Sequence, residues 1–390
     1  MPIIESLLDQ DLYKLTMCQA YFHKFPNVTA TFEFKCRNKG INLSNFADTI
    51  EDELMALEHL RFEKDELEFL AKLRFIKPDY IEFLREFRLD PKQYLTITKK
   101  PFAISVKGPV ARVSMFEIFV LSIVNEVYFR KMELNPDYNG ALRLLEKKIS
   151  IIKRSNQSNP IVFSEFGTRR RRSKAWQRQV LDILKYNVPN NIIGTSNVYY
   201  AKELGMKTMG TMAHEFLQAA QALTFLPDAQ QFAFRTWAEE YQGDLGIALS
   251  DVWGMDAFFA DFNLLYSKLF DGCRHDSGDP FTWCRKLIKH YQRFGIDPKT
   301  KTALFSDSID FPLAFGLARE FGKQIKVVFG IGTNLTNNIP DSVPLNIVMK
   351  MTECNGWPVA KLSDAPGKTM CKNKEFMTYL QYVINQKINC

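Results

Sequence analysis

The sequence predicts an α/β fold, an irregular or incomplete parallel α/β barrel with an additional α+β lobe. Two observations carry this. Over residues 161–336 a short run rich in Val, Ile or Phe breaks six times into a small polar loop, and helical segments separate many of the runs. Outside that stretch, several short segments alternate apolar and polar residues with period two, as half-buried strands do.

In chain order, residues 1–112 read as the α+β lobe, with strands over 29–35 and 94–97 and helices over 52–74 and 79–87. Residues 113–340 read as the barrel-like catalytic part, with helices over 141–153, 173–185, 198–204, 214–223 and 281–294 between the strand runs. Residues 341–390 return to the α+β lobe as strands, where Asn355-Gly356 marks a hairpin turn between 348–351 and 358–361. In such folds the polar breaks gather at the carboxyl ends of the parallel strands. One face therefore collects the chemistry.

Composition limits what that face belongs to. The 390 residues are 46% hydrophobic and 24% charged, enough to bury a large core. The apolar stretch 115–129 is interrupted by Glu117, Asn125 and Glu126, too short and too polar to span a membrane. The start, Met1-Pro2-Ile3-Ile4-Glu5, has no basic or apolar leader, so a cytoplasmic location is expected. Seven cysteines form no Cys-x-x-Cys pair and read as reduced thiols, and Cys273, alone on the functional face, lacks a His–Asn partner pattern.

Several motifs fail. Gly330-x-Gly332 is followed by Leu335 where a dinucleotide fingerprint needs glycine, which counts against a NAD-dependent oxidoreductase. Gly367-Lys368-Thr369 lacks the earlier glycine of a phosphate loop, Leu362 standing there. None of the five histidines makes a His-Glu-x-x-His pair, so no metal site formed by protein alone is expected. The net charge of +7 and the run Arg169-Arg170-Arg171-Arg172 raise a nucleic-acid-binding reading, which the acidic loops on the same face oppose; no nucleic-acid or membrane partner is expected.

What remains is a face suited to phosphate. Gly330, Gly332 and Thr333 leave a strand with exposed amides and a hydroxyl, and Thr195 and Ser196 repeat the arrangement, although each loop also reads as a turn or cap. At least one Arg of the run, which follows a strand directly, projects over the strand ends, where a guanidinium fork holds carboxylate or phosphate. Asp276 and Asp279 flank a turn and suit ribose hydroxyls or magnesium already held by phosphates, with Arg274 beside them and Ser306 on the next break. His214 opens a helix, whose positive end favours a neutral, nucleophilic imidazole; a cap or packing role fits the same position.

Seven segments together resemble the bacterial nicotinate phosphoribosyltransferases: Asp11-Leu12-Tyr13-Lys14-Leu15-Thr16-Met17, Glu165-Phe166-Gly167-Thr168-Arg169-Arg170, Gly194-Thr195-Ser196-Asn197, Met209-Gly210-Thr211-Met212-Ala213-His214-Glu215, His275-Asp276-Ser277-Gly278-Asp279-Pro280, Phe329-Gly330-Ile331-Gly332-Thr333-Asn334-Leu335-Thr336 and Leu362-Ser363-Asp364-Ala365-Pro366-Gly367-Lys368. The resemblance implies a type II phosphoribosyltransferase fold working as a homodimer with shared sites. It implies an ATP-dependent, ligase-class enzyme of NAD salvage that joins nicotinate to phosphoribosyl pyrophosphate, with Mg²⁺ bound with the phosphates. By the same resemblance His214 is phosphorylated transiently. Phe166 and Tyr13 sandwich the pyridine, Tyr13 from the other subunit, while Arg169 and Arg274 meet nicotinate and phosphate charges. Asp276 takes ribose or magnesium, and Gly332 with Thr333 the 5′-phosphate. Relatives that use nicotinamide carry Asp where Ser196 stands; serine donates to a carboxylate, which points to nicotinate and leaves nicotinamide as the alternative.

Overall fold

A computed structural model describes residues 2–155, 160–362, 369, 371 and 373–389. Two sheets organise them. Five antiparallel strands, β1 (Thr29–Cys36), β2 (Leu95–Lys99), β3 (Phe102–Pro109), β10 (Ile347–Cys354) and β11 (Trp357–Pro358), lie in the order β11-β10-β1-β3-β2. The carboxyl-terminal strand β10 thus sits beside β1, with Phe34 opposite Met349 and Phe32 opposite Met351. Asn355 and Gly356, both with positive φ (49° and 75°), turn β10 into β11, as a two-residue hairpin demands.

Six parallel strands, β4 (Phe163–Glu165), β5 (Ile192–Thr195), β6 (Ile247–Leu249), β7 (Gly272–His275), β8 (Thr302–Phe305) and β9 (Lys326–Ile331), form the second sheet in the order β5-β4-β9-β8-β7-β6. Read cyclically this is chain order, with the ladder open between β5 and β6. One isolated parallel bridge, Thr195 to Thr208, continues past β5, and the chain then enters the helix His214–Leu223. That helix leans on the antiparallel sheet, Gln218 Nε2 donating to the Met351 carbonyl at 3.1 Å. The residue that opens it is held between the two sheets.

Four sequence expectations need correction. The break at Gly210 follows a single bridge and no strand, whereas β6, which leads into Ser250-Asp251, was not anticipated; three residues are too few to register as a periodic run. The helix expected over 52–74 divides into Ala47–Met55, a 3₁₀ turn and Lys64–Ala71, because Glu63 and Glu66 form a reciprocal capping box that starts a new helix. Tyr94 ends a helical turn, Pro91–Tyr94, before β2 begins. After Pro358 the chain leaves the strand. The helices Val198–Leu204 and His214–Leu223 match expectation, the first capped by Asn197 accepting from the Tyr200 amide at 3.0 Å. The apolar stretch lies in the helix Phe116–Met132, buried on nearly every side, and among the described residues no helix is long and apolar enough to cross a membrane.

Candidate active site

The strand ends of the parallel sheet and the facing end of the antiparallel sheet enclose a cavity of about 600 Å³. Phe166, at the end of β4, and Tyr13, in the first turn of the helix Leu12–Lys24, both line it. Phe166 lies directly over Gly330: a Cβ on Gly330 would stand 2.3 Å from the ring. That glycine is therefore a space requirement for the aromatic and is absent from the cavity wall itself. Tyr13 lines the cavity of its own chain; the delivery of Tyr13 by the other subunit that the resemblance implies belongs to the proposed homodimer.

His214 is 5% exposed, and its Nε2 lies 2.8 Å from Asp251 Oδ1 and 3.5 Å from Asp276 Oδ2. Burial, reinforced by the Lys361 charge, pushes the imidazole down to about 4, so the ring is neutral at neutral pH. Asp251 also receives Lys361 Nζ at 2.8 Å and Ser277 Oγ at 2.7 Å. Burial opposes its ionisation, but His214 and Lys361 outweigh that and hold it well below the usual carboxylate range. An ionised Asp251 takes the Nε2 hydrogen and leaves the lone pair on Nδ1. Asp276 is likewise ionised: burial raises it, and Arg274 and His214 bring it down to about 2.

Around this centre stand many charges. Arg37, Arg169, Arg170, Arg274, Lys350 and Lys361 line the cavity, opposed by Asp11, Glu117, Glu215, Asp276 and Asp307. Arg169 approaches Glu117 only at 3.8 Å. Arg274 reaches Thr211 Oγ1 at 3.4 Å, and its buried Nε finds no hydrogen-bond partner among the described residues. Burial brings Lys350 down to about 8. Cationic walls with unsatisfied donors suit a polyanion.

The structure gathers Tyr13, Phe166, Arg169, Ser196, His214, Arg274, Asp276, Ser306, Gly332 and Thr333 around one cavity. Ser306 Oγ donates to Asp276 Oδ1 at 2.8 Å and orients it. Three expected site residues serve elsewhere. Thr195 is fully buried and donates to Glu165 at 2.6 Å, Gly330 makes room for Phe166, and Asp279 is exposed and caps the helix Pro280–Arg293 by accepting from the Thr282 amide at 2.7 Å. Ser196 was expected to offer its hydrogen to a ligand, and instead donates to Asp11 at 2.6 Å. Cys273 is inert, its buried thiol pushed up to about 12. The Gly367-Lys368 segment lies outside the described residues.

Sequence reasoning missed Asp251, Lys350, Lys361 and Asp11. Asp251 lies two residues past the strand that was too short to register, and Lys350 is an alternating position of β10 whose neighbours are distant in sequence. His214, Asp251 and Asp276 place one ligand atom each within 4.8 Å of one another, a geometry that could hold a cation. Lys361 already occupies Asp251, so the trio suits a resident metal poorly. Asp276 and Asp307, oxygen donors on the wall, fit a hard cation that arrives with phosphates.

Comparison with known proteins gives one answer along the chain. Residues 8–125 match the model of the nicotinate phosphoribosyltransferase amino-terminal domain, and residues 161–388 that of the nicotinate phosphoribosyltransferase family. Nicotinate phosphoribosyltransferases of Acidovorax sp. (strain JS42) and Burkholderia mallei are 49% and 48% identical, over 98% of this chain and 98% and 96% of theirs. The crystal structure of nicotinate phosphoribosyltransferase from Vibrio cholerae is similar with a TM-score of 0.95 at 38% identity, covering 98% of this chain and 94% of that one. The Porphyromonas gingivalis structure is similar with a TM-score of 0.92 at 34% identity, over 99% and 100%.

Proposed function

We propose, from the premise that this chain belongs to the nicotinate phosphoribosyltransferase family, that it joins the ring nitrogen of nicotinate to the anomeric carbon of phosphoribosyl pyrophosphate. The products are nicotinate mononucleotide and pyrophosphate, a step of NAD salvage. ATP is hydrolysed to ADP and phosphate alongside, through a transient phosphohistidine at His214. One observation carries the reading: a buried, neutral histidine, held at Nε2 by an ionised Asp251, lies in the same cavity as two aromatic rings and six cationic side chains.

Each part has a role in this scheme. Phe166 and Tyr13 take the pyridine, since offset aromatic contacts suit a flat ring. Asp251 fixes the tautomer, so that Nδ1 is the nucleophile toward the terminal phosphorus of ATP, and Lys361 keeps Asp251 ionised. Displacement at the sugar develops positive charge on the ring as pyrophosphate leaves; Asp276 faces the sugar and the arginines and Lys350 receive the leaving group. Magnesium entering with the phosphates would meet Asp276 and Asp307 and supply charge neutralisation there. A homodimer is part of the proposal, and light scattering of the purified protein tests it.

The purified chain should form nicotinate mononucleotide from nicotinate, phosphoribosyl pyrophosphate, Mg²⁺ and ATP, followed by chromatography together with ADP. His214→Ala should abolish ATP hydrolysis and leave a slow, ATP-independent transfer. Product formed from neither nicotinate nor nicotinamide would overturn the reading.

A further inference from the structure

Asp11 stands at the amino end of the helix Leu12–Lys24, where an acid ordinarily caps free amides, yet its side chain caps nothing. It is 2% exposed, lines the cavity and accepts Ser196 Oγ at 2.6 Å. The Leu12 amide donates to the Ser196 carbonyl at 2.8 Å and Asp11 bridges Asn197, so the two side chains are held in place. A hydroxyl has a single hydrogen. Given to Asp11, it leaves Ser196 only lone pairs to present to the cavity. With Asp11 ionised the Asp11–Ser196 pair accepts hydrogen bonds and donates none, which suits a carboxamide and disfavours a carboxylate.

We propose that Asp11 is a specificity-determining residue for the pyridine: nicotinate binds with Asp11 protonated, one proton being taken from solvent, and nicotinamide binds without that proton. The inference rests on the pyridine reading of the cavity. A protonated Asp11 donates to Ser196 Oγ and frees the serine hydrogen for the carboxylate of the ligand. The surroundings pull both ways. Burial, Glu117 from the helix Phe116–Met132, Glu165 from β4 and the neighbouring Tyr13 oppose charge on Asp11, whereas Arg169, the hydroxyls of Ser196 and Thr168 and the helix amino end favour it. The balance is a carboxyl raised above its ordinary value, burial contributing most.

Calorimetric titration of the full chain with nicotinate, in buffers of different ionisation enthalpy, counts the protons bound. The native protein should take up about one proton per nicotinate and none per nicotinamide, and the nicotinate Kd should rise about tenfold per pH unit above the Asp11 pKa. Asp11→Asn keeps the shape and cannot ionise, so the uptake and the pH slope should both vanish. Nicotinate binding to the native protein without proton uptake, or uptake undiminished in Asp11→Asn, would overturn the proposal. If the variant does not fold, the native measurement decides alone. Binding of neither pyridine sinks the functional reading together with this one, whereas turnover of nicotinate without uptake sinks only the role of Asp11.

Discussion

Arg169 and Arg170 face the cavity, whereas Arg171 and Arg172, next in the same run, are locked into the scaffold. Arg171 is fully buried, its guanidinium forked onto Asp9 at 2.6 and 2.8 Å, and Asn197 completes that carboxylate at 2.8 Å. Arg172 pairs with Glu133 at 2.7 Å and lies over Phe129. Arg170 has the opposite surroundings: burial and the like charges of Arg169 and Arg37 push it down to about 10. Four identical side chains thus divide into two paired closely with carboxylates and two with no carboxylate nearer than 3.8 Å among the described residues. Close pairing with protein carboxylates marks the scaffold, and charge left without it marks the place for a charged ligand.

Breaking each side should give distinct outcomes. Asp9→Ala strands the buried Arg171 and should cost about 3–5 kcal/mol of stability, read as a large fall in Tm or chemical midpoint. Arg169→Ala should lower kcat/KM about 10²–10³-fold with little change in Tm, because its charge is aimed at ligand. A comparable loss of stability in Arg169→Ala would erase the distinction. Gly330→Ala forces the Phe166 ring aside and should raise the nicotinate KM about tenfold, a loss of roughly 1.4 kcal/mol of binding, with kcat less affected.

A pH profile sharpens the same comparison. Lys350 is charged below about 8 and loses its charge above it, so phosphate-dependent steps should weaken as pH rises through that value. Lys350→Arg, charged throughout, should move this alkaline limb upward; an unmoved limb would assign it to another group. The smallest effect is expected at Asp279, an exposed cap: Asp279→Ala should cost about 1 kcal/mol of stability and leave kcat unchanged.

Legibility in the sequence followed the range of the interaction. The helix Val198–Leu204 announced itself through Asn197 three residues before the amide it caps, and the β10–β11 turn through two adjacent residues that tolerate positive φ. His214 at a helix start was readable for the same reason, since its helix begins at that residue. The helix expected over 52–74 failed where a local capping box, Glu63 with Glu66, overrode a continuous apolar pattern. Asp251 was illegible because a strand of three residues carries no period.

By itself the sequence determined which chemical groups stand at most strand ends and helix starts, because those depend on neighbours within a few residues. Only the tertiary structure decided which of those groups keep free valence. Thr195 is spent on Glu165, 30 residues away, Arg171 on Asp9, 162 away, and Ser196 on Asp11, 185 away. A hydrogen or a charge is available to a ligand only if no buried partner has claimed it, and the partners are chosen by long-range packing that no local pattern encodes.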